Sequence, residues 1–190
     1  LPDTDRVPEH IHLAFIVIFD EADSGGLEVT KQSIESQAGV QAKIFCCQPN
    51  DIQSTKESIS DKEFVILMRS GDVFYSDMSS LEIIDNMKNG VSCIYTDSII
   101  SDDGYELPQL MFPFSLDTVS SGYMITNVAL SSKLFKSLDI NEKLNFLLGH
   151  DIITKALHLT KVRHLAEYKF VLPSRKINIK EELSSIGVVN

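Results

Sequence analysis

Apolar runs alternate with segments of helical periodicity through the first half of the chain. Ile11–Phe19 is a near-continuous run of β-branched and aromatic residues, typical of a strand buried on both faces of a sheet. Leu27 and Ile34 share one helical face and predict a helix over Leu27–Gln37. The other strands predicted here are Lys43–Cys47, Glu63–Met68 and Val91–Tyr95. Strands that alternate with helices in this way predict an α/β fold with a mostly parallel sheet.

A further helix is predicted after the polar turn that follows the third strand. Ser76 or Asp77 is its candidate N-cap, and Asn89-Gly90 is the expected stop. The residues expected on its buried face are Met78, Leu81, Ile84 and Met87.

The second half of the chain carries shorter and less regular strand patterns. Asp102-Asp103-Gly104 is a strong turn signal, and the hairpin-like strands after Asp97 indicate a mixed sheet. Ser131 is placed to open a short helix that runs to Leu138. The remaining predicted elements are a strand over Met124–Leu130, a helix over Asp151–Leu159, and strands over Val162–Leu165 and Tyr168–Leu172.

Composition and charge narrow the classes of function. Of the 190 residues, 43% are hydrophobic and 23% are charged, which is typical of one globular domain. A formal net charge of -10, from 27 Asp and Glu against 17 Lys and Arg, disfavours binding to nucleic acid or to an anionic membrane surface. A nucleotide ligand stays compatible with this charge, because a divalent cation held by carboxylates can join two negative partners.

The chain shows no pattern of export or membrane insertion. Leu1–His10 has charges and prolines but no hydrophobic region, and is interpreted as a lead-in. The longest apolar stretch, Leu13–Phe19, is far too short to cross a bilayer. Cys46, Cys47 and Cys93 are expected to be reduced thiols. These features predict a cytoplasmic protein, with any membrane contact made through other regions or partners.

Acidic residues are expected to gather at one edge of the predicted sheet. Those that follow or end predicted strands are Asp20, Asp51, Asp72 and Asp97. Ligands of open α/β sheets bind beyond the carboxyl ends of the strands, so these acids are candidate ligand contacts. The alternative is that loop tips are polar because they face solvent. For Asp72 in particular, the alternative is a turn residue that bonds backbone amides.

Several short motifs occur in a defined order along the chain. An apolar strand runs into Arg69-Ser70-Gly71-Asp72, Ser76-Asp77 follows, and Cys93–Asp97 is a strand that ends on an acid. The later motifs are Phe114–Asp117 through Gly122-Tyr123, Leu134-Phe135, Asn141–Leu144, and Gly149-His150-Asp151 with Lys155. In this order they resemble the motifs of the family 2 inverting glycosyltransferases of the GT-A fold, over roughly Ile11 to Pro173.

The resemblance implies a single GT-A-type domain over residues 1–190, in which 1–10 are a lead-in, 11–97 bind the nucleotide sugar and 98–190 form the acceptor side. It implies an enzyme of polysaccharide biosynthesis that moves a sugar, with inversion, from a nucleotide-diphosphate donor to a hydroxyl of a glycan or lipid-linked acceptor. It also implies a divalent cation, Mn²⁺ or Mg²⁺, at the donor diphosphate, and further domains where the chain is part of a longer polypeptide.

The resemblance also implies roles for individual residues. Asp72 would hold the metal and the diphosphate, and Asp151 would deprotonate the acceptor, unless Asp151 is only a helix N-cap. The other candidates are Asp20, Asp51, Arg69 and Asp97 for the nucleotide sugar, and Asp117 and Tyr123 for the acceptor.

The chain departs from the family pattern where acids are usual. An arginine, a serine and a glycine precede Asp72, so Arg69 either binds phosphate in place of a metal or forms a salt bridge to Asp72. The family's Asp-Asp-Gly-Ser segment after the second strand is also missing, which leaves Asn50 or Asp51 to contact the nucleobase. These departures favour an alternative function, a non-catalytic GT-A-like interaction or carbohydrate-binding module of a longer polypeptide.

Overall fold

The computed structural model describes residues 11–20, 24–61, 63–87, 90–111, 127–175 and the single positions 180, 182 and 184. The strands in these residues are β1 (Ile11–Ile18), β2 (Val40–Cys47), β3 (Phe64–Arg69), β4 (Val73–Phe74), β5 (Cys93–Asp102), β6 (Tyr105–Gln109), β7 (Val128–Ser131) and β8 (Val162–Pro173). The helices are α1 (Ser24–Glu35), α2 (Ile52–Glu57), α3 (Ser79–Asn86), α4 (Ser132–Ser137) and α5 (Leu148–Leu157), with a 3₁₀ turn over Pro49–Asp51.

The strands form one mixed sheet in the order β2-β1-β3-β7-β5-β8-β4, with β6 paired to β5. Strands β1, β2 and β3 are parallel, and β7 runs antiparallel to both β3 and β5, so β5 and its parallel neighbour β8 share the direction of β3. Five strands therefore run in one direction, and the predicted α/β fold with a mostly parallel, mixed sheet is confirmed. Ile18 pairs with Cys47 and with Arg69, so these three strands end at the same edge.

The core lies on both faces of the sheet. Along β1, Leu13, Phe15 and Val17 belong to the cluster beneath α1 and α3, whereas Ala14 and Ile16 belong to the cluster beneath α2, α4 and α5. All five side chains are fully buried. Strand β1 is therefore buried on both faces, as its continuous apolar run predicts, because helices cover each face of the sheet there.

Two short signals of the sequence are confirmed in detail. Asp103 and Gly104 have φ angles of 44° and 85°, as a two-residue type I′ hairpin turn requires between β5 and β6. The Ser131 side chain accepts a hydrogen bond from the Leu134 amide at 3.3 Å and caps α4.

The predicted buried face of α3 is partly wrong. The helix begins at Ser79, after a turn in which the Ser76 amide donates to the Ser79 hydroxyl at 3.0 Å, so neither Ser76 nor Asp77 caps it. This later start leaves Met78 outside the helix and 42% exposed. Ile84 and Met87 are buried as predicted and Leu81 is half-buried, and the other buried residues of the helix are Ser79, Ser80 and Ile83.

Two predicted boundaries in the second half are also wrong. Helix α5 begins at Leu148, three residues before Asp151, because its N-cap is Leu147. The two strands predicted after it form the single strand β8, whose pairing with β5 shifts register beside Asp97. The exposed Ala166 and Glu167 lie at this irregularity and interrupt the apolar pattern.

No helix within the described residues combines the length and the apolar character needed to cross a bilayer.

Candidate functional site

A tight turn after β3 folds the Asp72 side chain back against the last residue of that strand. Gly71 has a φ of 87°, and a Cβ there would lie 3.1 Å from Pro173 Cγ, so glycine suits both the backbone and the space. The amide of Gly71 donates to the Thr30 hydroxyl at 2.8 Å, which fixes the turn against α1. The Asp72 amide donates to the Arg69 carbonyl at 3.0 Å and closes the turn.

The carboxylate of Asp72 is fully buried, and both of its oxygens have partners. Oδ2 accepts hydrogen bonds from the Arg69 amide and from Asn127 Nδ2, each at 2.9 Å. Oδ1 lies 2.7 Å from Nη2 of Arg175, in an ion contact without hydrogen-bond alignment, and that nitrogen also donates to the Ser70 carbonyl. Asp72 therefore bonds a backbone amide of its own turn and also pairs with the arginine that follows β8.

The guanidinium of Arg69 is the central charge of this edge. Its side chain is only 7% exposed; Nη1 donates to the Asn145 carbonyl at 2.8 Å, and Nη2 lies 3.8 Å from Oδ2 of Asp20. The guanidinium carbon lies 3.9 Å from the centre of the Phe146 ring, in a cation–π contact. Burial, and after it the charge of Arg175, lowers the pKa of Arg69 to about 10, so the group stays cationic at neutral pH.

Residues 145–147 connect this arginine to the start of α5. Asn145 Nδ2 donates to both carboxylate oxygens of Asp20, at 3.2 and 3.3 Å. The backbone amides of Asn145 and Leu147 donate to the carboxylate of Glu182 at 3.0 and 2.9 Å, and the amide of Phe146 donates to it as well. The edge therefore brings together Arg69, Arg175, Asp72, Asp20 and Glu182.

These residues do not fit a divalent cation at Asp72. Mg²⁺ and Mn²⁺ need carboxylate oxygens that are open to them, and those of Asp72 are held by two hydrogen bonds and a guanidinium. In the described part of the chain, no group of three or more His, Cys, Asp or Glu side chains is close enough to hold a metal. The charged groups that surround the Asp72 carboxylate are arginines.

Asp97 lies inside β5 rather than at its end, and its carboxylate contacts other groups. Its Oδ1 lies 2.8 Å from Nε2 of His164 and accepts a hydrogen bond from the Met111 amide at 2.7 Å. His164 stacks on Tyr95 at 4.9 Å between ring centres. Asp97 also lines a cavity of about 470 Å³, together with Tyr75, Ser76, Glu82, Leu110, Ala166, Glu167, Tyr168 and Lys169.

Asp151 lies one turn inside α5. Its Oδ2 accepts from the Asn141 amide at 3.2 Å and from Lys155 Nζ at 2.7 Å, and its side chain is 17% exposed. The interpretation of Asp151 as a helix N-cap is therefore wrong, because α5 begins at Leu148 and Leu147 holds the N-cap position. Asp51 is exposed in the 3₁₀ turn, where its carbonyl accepts from Ser54 and Thr55. Asp117 and Tyr123 lie outside the described residues.

Four residues of this edge were not found from the sequence: Asn127, Asn145, Arg175 and Glu182. Arg175 had a usable signal, since it follows a strand whose carboxyl end lies at the same edge as that of β5. Asn127, Asn145 and Glu182 belong to no motif or spacing that indicates a site, because Asn145 and Glu182 come together only through the fold.

The fold is that of GT-A glycosyltransferases. A crystal structure of Staphylococcus aureus TarS 1-349 in complex with UDP-GlcNAc superposes with a TM-score of 0.62 at 12% identity, over 87% of this chain and 60% of that chain. The mannosyltransferase PcManGT from Pyrobaculum calidifontis, in complex with GDP-Man and Mn²⁺, superposes at 0.58 with 8% identity, over 88% of this chain and 58% of that one. No family model matches the sequence, and no curated protein matches it. The chain thus spans about 60% of the length of these structures.

Proposed function

We propose that this chain is the nucleotide-sugar-binding part of a glycosyltransferase, which moves a sugar from a nucleotide-diphosphate donor to a hydroxyl acceptor. The observation that supports this most is the place of Arg69 and Arg175, two buried or half-buried cations at the edge where α/β sheets bind ligands. The structures that share the fold contain UDP-GlcNAc and GDP-Man, both nucleotide diphosphate sugars.

On the donor side, the arginines would supply the positive charge that the departing diphosphate needs. A guanidinium binds phosphate oxygens through two parallel hydrogen bonds and keeps its charge at every physiological pH. Asp20, whose side chain is 54% exposed beside Arg69, is proposed to contact the ribose or the sugar, and Asp51 the nucleobase. The sequence predicts a divalent cation at Asp72; because the residues do not fit one there, donor binding is assigned to the arginines.

On the acceptor side, an inverting transfer needs one base on the face opposite the leaving diphosphate. Asp151 stays the first candidate, because it lies in the first turn of α5, five residues after Phe146, whose ring stacks on Arg69. Asp97 is the second candidate, and the cavity that it lines carries Tyr75 and Tyr168, rings of a kind that can stack on a sugar. Asp117 and Tyr123 are kept as acceptor-side proposals.

The alternative is a GT-A-like module that no longer transfers sugar and serves a longer polypeptide. The engaged carboxylate of Asp72 favours it, since the acid expected to bind the donor is committed to Arg175. The two functions differ in donor binding and in turnover. The partial coverage of the related structures agrees with either, because both would use further parts of a longer chain for the acceptor.

Donor binding is the first test. Thermal unfolding of the chain should be measured with UDP, GDP, UDP-GlcNAc and GDP-Man, each with Mn²⁺ and with EDTA, and with UMP and GMP as controls that lack the second phosphate. A diphosphate at one hundred times its dissociation constant should stabilise the fold by about 2.7 kcal/mol, in EDTA as well as in Mn²⁺. Melting curves that no nucleotide shifts would favour the non-catalytic module, and a shift only with Mn²⁺ would refute binding through arginines alone.

A further inference from the structure

The carboxylate of Glu182 fills an anion site built by residues of the donor-side edge. It accepts hydrogen bonds from three consecutive backbone amides, those of Asn145, Phe146 and Leu147. These amides lead into the N-terminus of α5, a helix of ten residues whose dipole adds positive potential at the same place. Consecutive amides that converge in this way bind carboxylates and phosphates alike.

Arg69 adds an independent observation at this site. It is 5% exposed, its guanidinium donates to Asn145 and stacks on Phe146, and the charge of Glu182 acts on it. Its Nε is buried and has no hydrogen-bond partner among the described residues. A buried guanidinium with an unused N–H, next to three convergent amides, has more donor capacity than one carboxylate fills.

Glu182 reaches the turn before α5 from a distant part of the sequence. A helix cap normally comes from the residues next to the first turn, where it costs little chain entropy. Glu182 instead follows the residues whose amides it accepts by 35 to 37 positions. Arg175 and Glu182 both come after β8 in the sequence, and they bring a cation to Asp72 and an anion to the amides before α5.

We propose that Glu182 is an internal competitor for the donor, and that its carboxylate occupies the subsite which one phosphate group of a nucleoside diphosphate takes when it binds. The identification of that anion as a nucleoside diphosphate rests on the proposed function, whereas the anion site itself does not. When the diphosphate binds, its oxygens accept hydrogen bonds from the amides of residues 145–147 and from Nε of Arg69. Glu182 then moves out to solvent. Donor affinity is then reduced by the fraction of molecules in which Glu182 occupies the subsite.

The experiment compares the parent chain with Glu182→Gln, which removes the charge but keeps the size. Isothermal titration with inorganic pyrophosphate and with UDP should give at least tenfold tighter binding to Glu182→Gln than to the parent. Glu106→Gln, an equal loss of charge at an exposed position of β6, should leave both affinities unchanged. The glutamine side chain can still accept hydrogen bonds from the backbone amides. Glu182→Ala therefore tests the same point with no side-chain acceptor left.

Hydrogen exchange provides a second readout on the same proteins. The amides of residues 145–147 should be protected in the parent, lose protection in Glu182→Ala, and regain it when pyrophosphate is added. If Glu182 is only a cap, both variants will be less stable, pyrophosphate will restore no protection, and the affinities will not rise; this result would overturn the inference.

The outcomes separate this inference from the proposed function. Parent protein that binds UDP, with no tighter binding by either Glu182 variant, refutes the competitor and leaves the function standing. Tighter pyrophosphate binding by the variants, without binding of any nucleotide, supports the anion site and refutes the nucleotide donor. Absence of pyrophosphate and nucleotide binding in all proteins refutes both.

Discussion

Asp72 is predicted to stabilise the fold through its charge. Its carboxylate is 0% exposed and lies 2.7 Å from Arg175 Nη2, with the buried Arg69 on the other side of the turn. The substitution Asp72→Asn keeps one oxygen for the Arg69 amide and for Asn127, so the turn itself retains its hydrogen bonds. It removes the only negative charge in contact with Arg175 among the described residues and places a neutral amide against that guanidinium.

The size of the effect follows from the burial of the pair. Removal of one partner of a buried ion pair costs about 3–5 kcal/mol, because the other charge is left without compensation in a medium of low dielectric constant. The Arg175 side chain is 16% exposed and can regain part of its hydration, which points to the lower end, about 3 kcal/mol. For a chain of this size, that loss corresponds to about 6–12 °C in Tm.

The assay is urea unfolding followed by far-ultraviolet circular dichroism, with Tm measured by calorimetry. Asp77→Asn is the matched control, since it removes an exposed carboxylate five residues further along and should change stability by less than about 0.5 kcal/mol. The double variant Asp72→Asn/Arg175→Met removes both charges and should recover part of the lost stability, because the uncompensated cation is gone.

Two results would refute this reasoning. If Asp72→Asn unfolds within about 0.5 kcal/mol of the parent, the buried pair does not stabilise the fold. If Mn²⁺ raises the Tm of the parent but not that of Asp72→Asn, the carboxylate is a metal ligand and the contact with Arg175 must open when the metal binds.

Two further substitutions test the proposed transfer. Arg69→Lys should weaken UDP binding at least tenfold in a calorimetric titration, because a point charge replaces a two-pronged donor; a variant that binds UDP as well as the parent would make Arg69 purely structural. Asp151→Asn should abolish sugar transfer in a product assay and preserve donor binding, and because its pair with Lys155 is partly exposed, stability should fall by less than about 1 kcal/mol. Turnover within a few-fold of the parent would shift the base to Asp97 or Asp117.

Patterns local to one segment predicted the fold well. The apolar run of β1 is visible because both of its faces are buried, and the Asp103-Gly104 turn is visible because both residues take positive φ angles. The start of α3 was harder to predict, because the turn before it is held by a distant strand. The Tyr75 amide donates a hydrogen bond to the Lys169 carbonyl in β8. The alternative that Asp151 is only a helix cap is wrong because α5 begins three residues earlier, at Leu148.

The site could be predicted only in part, because half of it is assembled from distant segments. The ends of the predicted strands mark Asp20, Arg69 and Asp72, which the parallel register of β1 and β3 places side by side. The strand ends do not show that the acid and the arginine are buried, since the residues that contact them, Asn127, Asn145, Phe146 and Arg175, are distant in sequence. Arg175 is 103 positions from Asp72 (175 - 72), and only the sheet order brings it there.

The low pKa of Arg69 connects these observations. Burial disfavours the charged form of the guanidinium and lowers its pKa to about 10, and Arg175 adds to this effect while Asp72, Asp20 and Glu182 oppose it. Asp72 is already paired with Arg175, and Asp20 is 3.8 Å from Arg69 with its side chain 54% exposed, so neither compensates the guanidinium fully. An anion that reaches Arg69 from the side of residues 145–147 therefore relieves an existing cost. Glu182 does this in part, and a diphosphate, with more charge and more acceptor oxygens, would do it more completely.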